Sequence, residues 1–318
     1  MSGQAQDRGD SARQGGLIPG GDGVPAFSLT LPEPSAIPVV IAVPHAGRSY
    51  TGPLLERMRN PGFAALRLED RYVDRLALAA ARASGAALLI AHAPRAMIDL
   101  NRAEDDVDWE MIVGGRNGEQ ASSAPGHISG HRARSGLGLI PRRLSALGEL
   151  WNERHTRQDL AERLDGVHRP YHRSLADSLA QLRARWGAVL LIDLHSMPPL
   201  APVAGRPAPQ LVIGDRFGAS CAGGITGAAF AWLGAQGQIT AHNRPYAGGY
   251  VLDRHGNPAQ GLHALQLEVD RSAYLDARLA EPGAGFGDMA GLLTGLVQHL
   301  AHHVADLGRA ENWPIAAE

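Results

Sequence analysis

The fold that this sequence predicts is decided by residues 188–199, which read AVLLIDLHSMPP. An apolar run of this kind, entered through Gly187 and ended by two prolines, is typical of a strand buried on both faces of a parallel sheet. Asp193 and His195 are two residues apart, so their side chains point to the same side of the strand at its carboxyl end. Open α/β sheets bind their ligands at that end. From this stretch alone, His195 fits equally a histidine that caps a tight turn and a metal ligand.

Composition excludes several classes of protein. The chain has 318 residues, of which 44% are hydrophobic, and this is enough for one large core. Its net charge of -2 gives no electrostatic reason to bind nucleic acid or an anionic membrane, and no apolar run is long enough to span a bilayer. The single cysteine, Cys221, excludes a disulfide framework and a cysteine-based zinc site, and it fits the reducing cytoplasm, where we expect the protein. With 14 histidines, any transition-metal site must use histidine and carboxylate ligands.

Strand and helix patterns alternate along the chain. Apolar runs predict strands at 37–43, 86–91, 188–197, 210–214 and 262–270. Helical spacing of apolar residues predicts helices near 69–84, 144–151, 171–182, 217–233 and 285–307. This alternation predicts an α/β fold with three αβα layers around a mostly parallel mixed sheet. We expect residues 26–318 to form a single domain, and the polar, Gly-rich residues 1–25 to be a disordered tail.

Polar residues follow two of the predicted strands. His45 stands at the end of the first strand, and Asn101 and Arg102 close a short segment after the strand at 86–91. Arginine beside asparagine suits the recognition of a carboxylate. Each residue also has a purely structural interpretation, because His45 fits a buried core histidine and Arg102 fits a surface ion pair with the acids at 104–106.

The strand at 262–270 alternates strictly between apolar and polar residues, so that Gln266, Glu268 and Asp270 share one face. In an ordinary half-exposed strand, such a polar face is exposed to solvent. Because the preceding strands are predicted to be buried on both sides, we favour a face that lines a cavity, where burial raises the pKa of Glu268 and suits it to act as a general base. With His45, His195 and a further acid, it completes the parts of a hydrolytic zinc site, which needs about three ligands and an open position for water.

Eight short motifs, spread over residues 39–276, occur in an order that resembles the N-formylglutamate amidohydrolase family. They are Pro44-His45-Ala46-Gly47, Glu69-Asp70-Arg71-Tyr72, Asp99-Leu100-Asn101-Arg102, Arg169-Pro170-Tyr171-His172, Asp193-Leu194-His195-Ser196, Gly214-Asp215, Pro245-Tyr246-Ala247-Gly248-Gly249-Tyr250 and His263-Ala264-Leu265-Gln266-Leu267-Glu268. Each motif is weak alone, and the order of all eight makes the resemblance specific.

The resemblance implies a zinc carboxypeptidase-like fold and one Zn²⁺ per chain. By this resemblance His45 and His195 are metal ligands, Glu268 is the general base, and Asn101 and Arg102 hold a substrate carboxylate. The implied reaction releases formate and L-glutamate from N-formyl-L-glutamate, a small molecule that carries carboxylates, in histidine degradation. The oligomeric state stays open.

The chain departs from the pattern of the zinc carboxypeptidases at one ligand. Those enzymes have a glutamate ligand three residues after the first histidine, where this chain has Arg48. Asp70 is the expected third ligand, and Asp74, four residues on, is the alternative. Asp193, on the same face as His195, is expected to orient a histidine of the site.

A second departure lies at residues 252–256, which read LDRHG where the family often has Thr-Arg-His-Tyr-Gly. The loop is still expected to face the substrate through Gly248 and Gly249. Arg244 or Arg254 is expected to meet a second carboxylate of the substrate.

The segment 103–140 has weak periodicity and many Gly, Ser and charged residues, which indicates either a functional loop or disorder. Its basic residues form either a lid that brings positive charge to an anionic substrate or a solvated loop. They are His127, His131, Arg132 and Arg134. For His172, on a predicted helix, we favour a bond to a neighbouring backbone group over metal binding.

Two other functions are compatible with the sequence. The same chemistry could act on another N-acyl amino acid or on a small peptide, and turnover of formyl, acetyl and peptidyl substrates distinguishes these. A non-catalytic ligand-binding protein could keep the same fold, and metal analysis of the purified chain tests that alternative.

Overall fold

One mixed sheet of eight strands dominates the computed structural model, which describes residues 12–115, 131–144, 147–202, 205 and 207–311. In chain order the strands are β1 (Arg13–Gly15), β2 (Phe27–Thr30), β3 (Val39–Val43), β4 (Ala87–Ala91), β5 (Arg143–Leu144), β6 (Gly148–Glu149), β7 (Val189–Met197), β8 (Leu211–Gly214), β9 (Thr240–His242) and β10 (Leu262–Asp270). The sheet has the order β1-β2-β4-β3-β7-β10-β8-β9, and β5 and β6 form a separate hairpin.

The four central strands, β4, β3, β7 and β10, are parallel, so their carboxyl ends meet at one edge of the sheet. Every residue of β7 is buried, as its apolar run predicts. The register of β7 with β10 sets Glu268 opposite His195, and Gln266 opposite Asp193. These four polar residues therefore lie side by side on the two strands at the centre of the sheet.

Helices cover both faces of the sheet. They are α1 (Gly52–Arg57), α2 (Pro61–Leu68), α3 (Val73–Ser84), α4 (His131–Arg134), α5 (Arg157–Arg163), α6 (Arg169–Trp186), α7 (Gly223–Ala235), α8 (Tyr250–His255) and α9 (Phe286–Glu311). One apolar core packs α3, α7 and α9 on one face, and a second core packs α1, α2, α5, α6 and α8 on the other. The predicted α/β fold with three layers and a mostly parallel mixed sheet is confirmed. None of the helices in the described part of the chain combines the length and apolar character that crossing a membrane requires.

Helix α3 illustrates how sequence spacing produces this packing. Leu76, Ala77 and Ala80 lie at helical spacing and are buried in the core shared with α9. Full burial of a leucine such as Leu76 contributes about 1.5–3 kcal/mol. The helix ends at Gly85, which takes a left-handed φ of 80° while its N–H donates to the carbonyl of Ala81 over 2.8 Å.

The structure corrects the predicted N-terminal tail. Residues 1–11 lie outside the described residues, but residues 12–25 are not a disordered tail. Strand β1 pairs with β2 at the edge of the sheet, and Ile18 is buried in the core. The polar, Gly-rich composition predicts disorder here because it does not reveal pairing with a strand further along the chain.

Two of the predicted helices also differ from the structure. In residues 144–151, where leucines recur every three residues, Leu144 ends β5 and Gly148 begins β6, and Gly148 has a φ of 77°, which an α-helix does not allow. The helix predicted from residue 217 begins only at Gly223, because Phe217 and Gly218 adopt positive φ in the turn that follows β8.

Candidate active site

Three predicted ligand residues meet at the carboxyl ends of neighbouring strands. His45 follows β3 by two residues, His195 lies on the adjacent strand β7, and Asp70 lies in the turn between α2 and α3. The N–H of Asp70 donates to the carbonyl of His45 over 2.9 Å, which ties that turn to the strand end. All three side chains are buried, and one ligand atom of each lies within 4.8 Å of the others.

Each imidazole is held by a carboxylate on its outer side. Nε2 of His45 lies 2.7 Å from Oδ1 of Asp99, and Nε2 of His195 lies 2.9 Å from Oδ2 of Asp193. Because an ionised carboxylate only accepts hydrogen bonds, Nε2 carries the proton in each ring. The two Nδ1 atoms face Oδ2 of Asp70, at 3.7 Å from His45 and 3.0 Å from His195.

The second oxygen of Asp70 is occupied by the protein. Oδ1 accepts hydrogen bonds from Nη2 of Arg271 at 3.2 Å and from Oγ of Ser196 at 3.3 Å. Burial opposes the charge on Asp70, but the hydrogen bond with His195 and the charges around it hold the pKa of this carboxyl well below its usual value. The ionised Oδ2 atom is therefore directed at the two imidazoles.

The protonation preferences of the histidines suit a cation at this cluster. Burial, aided by the charge of Arg95, lowers the pKa of His45 to about 4, so this ring is neutral. For His195 burial also acts to lower the pKa, but the carboxylates of Asp193 and Asp70 outweigh it and raise the pKa well above the usual value. The pocket between these carboxylates thus stabilises a positive charge, and a divalent cation would take the place of the proton.

The donor set fits a catalytic zinc ion. Two imidazole nitrogens and one carboxylate oxygen are ligands that catalytic zinc sites use, with a fourth position kept for water or substrate. The cluster borders a cavity of about 410 Å³, which leaves room for that fourth position. Each imidazole is also paired with a carboxylate, as histidine ligands of metal sites commonly are, and this contact fixes the orientation of the ring.

Glu268 lines the same cavity on the strand beside His195. Its side chain is buried, and this burial raises its pKa to about 7. The amide Nε2 of Gln266 donates to Oε1 of Glu268 over 2.8 Å and so fixes the carboxyl group. A carboxyl group with a pKa near neutrality can both accept and return a proton, which is what general acid–base catalysis requires.

Asn101 lies in the cavity wall, but its side chain is engaged within the protein. Its Nδ2 donates to Oε1 of Gln266 over 3.3 Å, and its Oδ1 accepts from the N–H of Val251 over 2.9 Å. A Cβ atom at Gly249 would lie only 2.5 Å from Oδ1 of Asn101, so the loop approaches this closely only because residue 249 is glycine. Gly248 lines the cavity next to it with a φ of 99°.

The cavity wall is strongly cationic. Its arginines are Arg67, Arg95, Arg102, Arg132, Arg216 and Arg271. Sequence reasoning identified Arg102 from its motif and noted Arg132 only as a charge on a possible lid. It missed Arg95 and Arg271. Arg95 stands four residues before Asp99, and Arg271 directly follows Asp270, the last residue of the polar face of β10.

Three other predicted residues are not brought into the cluster or the cavity. Arg244 and Arg254 have exposed side chains and do not belong to the cavity wall. The side chain of Arg254 folds back within α8, where Nη1 donates to the hydroxyl of Tyr250 over 2.5 Å. The alternative ligand Asp74 instead accepts two hydrogen bonds from Arg48, at 3.1 and 2.7 Å.

Two buried histidines lie directly behind the Asn101–Arg102 segment. A ring nitrogen of His172 donates to the carbonyl of Leu100, and one of His168 donates to the carbonyl of Arg102, both over 2.9 Å. His172 therefore bonds to backbone, as expected from the sequence. His127 of the proposed lid lies outside the described residues.

Comparisons with known proteins agree on one family. The family model for N-formylglutamate amidohydrolase matches residues 37–275. The N-formylglutamate deformylase of Pseudomonas aeruginosa is 29% identical over 279 residues, which cover 86% of this chain and 94% of the relative. The N-formylglutamate deformylase of Pseudomonas putida is 28% identical over 245 residues, covering 76% and 82%.

Solved structures give the same result for the fold. The crystal structure of N-formylglutamate amidohydrolase from Ralstonia eutropha JMP134 aligns with a TM-score of 0.76 at 32% identity and covers 88% of this chain and 99% of that one. A gene product of Agrobacterium tumefaciens shares the fold, with a TM-score of 0.56 at 16% identity over 90% and 96% of the two chains.

Proposed function

Because the chain belongs to the N-formylglutamate amidohydrolase family and is a hydrolase acting on an amide, we propose that it converts N-formyl-L-glutamate and water to L-glutamate and formate, in histidine degradation. The observation that supports this proposal is that the His45–Asp70–His195 cluster, Glu268 and several arginines border one cavity. We place the reaction in the cytoplasm, since the single cysteine fits a reducing compartment.

His45, Asp70 and His195 would hold one zinc ion per chain through Nδ1, Oδ2 and Nδ1. When bound, such an ion lowers the pKa of a water molecule towards about 7 and polarises a carbonyl group. Asp99 and Asp193 keep the proton of each imidazole on Nε2, so that the Nδ1 lone pairs stay available.

Glu268 takes a proton from the attacking water molecule while the oxygen of that water bonds to the formyl carbon. The same carboxyl group then gives this proton to the amide nitrogen as the C–N bond breaks, which yields formate and the free amine of glutamate. Arg95 also lines the cavity and is near enough to His45 and Glu268 to shift the pKa of both. The positive charge of Arg95 stabilises the negative charge that develops on the formyl oxygen.

The test measures steady-state turnover of the zinc-loaded protein with N-formyl-L-glutamate, N-acetyl-L-glutamate and a glutamyl dipeptide. We expect kcat/KM to be highest for N-formyl-L-glutamate, and we expect activity to disappear on chelation and to return with zinc. Fast turnover of another substrate, with none of N-formyl-L-glutamate, would overturn the substrate assignment. Full activity in metal-free protein would overturn the zinc assignment.

A further inference from the structure

Among the described residues, three arginines of the cavity wall make no ion pair, namely Arg67, Arg102 and Arg132. Arg102 is largely buried, and its Nε and Nη1 donate to the carbonyls of Leu137 and Asn101, over 2.9 and 2.7 Å. Since these bonds use only part of its five donors, the guanidinium keeps donors for an anion in the cavity.

The backbone places Arg132 beside Arg102. The carbonyl of Arg132 accepts from the N–H of Leu137 over 2.9 Å, and Leu137 in turn supplies the carbonyl that binds Arg102. The turn is fixed further by the N–H of Ala133, which donates to Oδ1 of the buried Asp106 over 3.1 Å. The two guanidinium groups are thus carried by two segments that are hydrogen-bonded to each other.

The three other arginines of the wall make ion pairs with acids. Arg95 pairs with Asp99, Arg271 pairs with Asp70, and Arg216 pairs with Asp253. Arg67, whose side chain is exposed like that of Arg132, lies over the ring of Phe63. Of the three arginines without an ion pair, Arg102 and Arg132 are the two whose segments are hydrogen-bonded to each other.

The proximity of these two charges is unfavourable without an anion. Burial lowers the pKa of Arg102, and the positive charges of Arg95 and Arg132 lower it further, against the opposing effect of the Asp99 and Asp106 carboxylates. A ligand that brings one carboxylate to each guanidinium removes this repulsion and gains charge-assisted hydrogen bonds. A dicarboxylate with a short aliphatic spacer is the class of ligand that meets this requirement.

Resting on the proposed function, we propose that Arg132 determines the side-chain specificity of the enzyme by binding the side-chain carboxylate of an acidic N-acyl amino acid, while Arg102 binds the α-carboxylate. Arg132 thereby takes the role that the sequence assigned to Arg244 or Arg254. The proposal predicts that the enzyme distinguishes glutamate from its uncharged isostere glutamine through one residue of the segment 131–139.

The experiment compares N-formyl-L-glutamate with N-formyl-L-glutamine on the zinc-loaded full chain. We expect Arg132→Gln to lower kcat/KM for the glutamate substrate by about 10- to 100-fold, mostly through KM, because a charge-assisted contact is lost. The glutamine substrate should change by less than about threefold, since it never made that contact. Arg102→Gln should lower kcat/KM for both substrates equally, because both carry the α-carboxylate.

Arg134→Gln is the matched control, since it removes the same charge from the same short helix but from a residue that is not part of the cavity wall. It should leave both rates unchanged. If the wild type prefers glutamate and Arg132→Gln keeps that preference, the inference about Arg132 fails and the proposed function stands. If the wild type does not hydrolyse N-formyl-L-glutamate at all, both fail.

Discussion

Nε2 of His45 lies 2.7 Å from Oδ1 of Asp99, and both side chains are buried. Asp99 also accepts a hydrogen bond from Nε of Arg95 at 2.9 Å through its other oxygen, and from the N–H of Asn101 at 2.9 Å. One carboxylate thus orients a predicted metal ligand, a cavity arginine and the segment that carries Arg102. Metal binding at the proposed site is therefore expected to depend on this residue.

Asp99→Asn should weaken zinc binding by about 10- to 100-fold, because the amide keeps the shape but lowers the basicity of the His45 ring. Competition with a chromogenic chelator measures this affinity. Asp105→Asn, an exposed aspartate of the same stretch, serves as the control and should bind zinc like the wild type. Equal zinc affinity in Asp99→Asn would show that the contact with His45 does not tune the site.

Asp70→Asn should weaken zinc binding by more than about 100-fold, because a ligand of the metal is lost. This effect should exceed that of removing a carboxylate that only orients a ligand histidine. Asp74→Asn removes the same charge from a residue that pairs with Arg48, and it should retain one zinc ion per chain. Zinc content after dialysis, measured by atomic absorption, separates the two. The opposite pattern, with zinc lost from Asp74→Asn alone, would assign the third ligand to Asp74.

Glu268→Gln should lower kcat by about 100- to 10,000-fold while zinc content stays at the wild-type level, because the amide cannot take the proton of water. Its shape still permits the hydrogen bond with Gln266, so KM should change little. Turnover and zinc content are measured on the same preparation. Wild-type kcat in this variant would assign the general base to another residue.

Gly249→Ala should destabilise the fold by about 1–3 kcal/mol and raise KM, because the new Cβ would meet Oδ1 of Asn101 at 2.5 Å and displace it from Val251 and Gln266. Gly224→Ala, in the first turn of α7, meets nothing within 4 Å and should be neutral or stabilising by up to about 1 kcal/mol. Urea unfolding measures both free energies. Equal stability of the two variants would contradict the predicted steric conflict.

Acid should destabilise the protein through His155. Burial and the charges of Arg163 and Arg57 lower the pKa of His155 to about 3, and both guanidinium groups donate to its Nδ1, over 3.2 and 2.9 Å. The unfolded chain binds this proton near pH 6.5, so the contribution to stability is complete above that pH and is lost as the pH falls towards about 3. At pH 5.5 the loss amounts to about 1.4 kcal/mol.

His155→Gln should therefore reduce the change in the free energy of unfolding between pH 7 and pH 5.5 by about 1 kcal/mol. Urea titrations of the wild type and the variant at both pH values measure this difference. His302→Gln, which replaces an exposed histidine of α9, is the control and should leave the change as it is in the wild type. An unchanged pH dependence in His155→Gln would mean that His155 is protonated in the folded state.

The sequence predicted those parts of the site that strands position. A run of apolar residues defines β7, and strict alternation defines the faces of β10, so the side chains of His195 and Glu268 follow from local pattern. The three-layer architecture follows from the alternation of strands and helices. His45 follows from its place at the end of a predicted strand, whereas Asp70 required the resemblance to a family, because no local pattern brings the turn before α3 to the end of β3.

Local sequence patterns did not predict the positions of two arginines. The place of Arg132 in the cavity depends on Leu137 and Asp106, and these contacts leave no periodic signal in the sequence. Arg254 was predicted in the cavity because it is charged and near the Gly248–Gly249 loop, but α8 turns its side chain towards Tyr250. The sequence predicted a loop here, whereas the structure has a helix, and the helix sets the direction of this side chain.

The ends of the sheet have a consequence for association with other molecules. The outermost strands, β1 and β9, are three residues long, whereas the central β7 and β10 each have nine and are paired on both sides. An exposed strand edge templates the addition of strands from other chains, and a short edge offers few unpaired backbone groups for it. In the described part of the chain, the long apolar strands that build the site are therefore shielded from edge-to-edge aggregation by two short flanking strands.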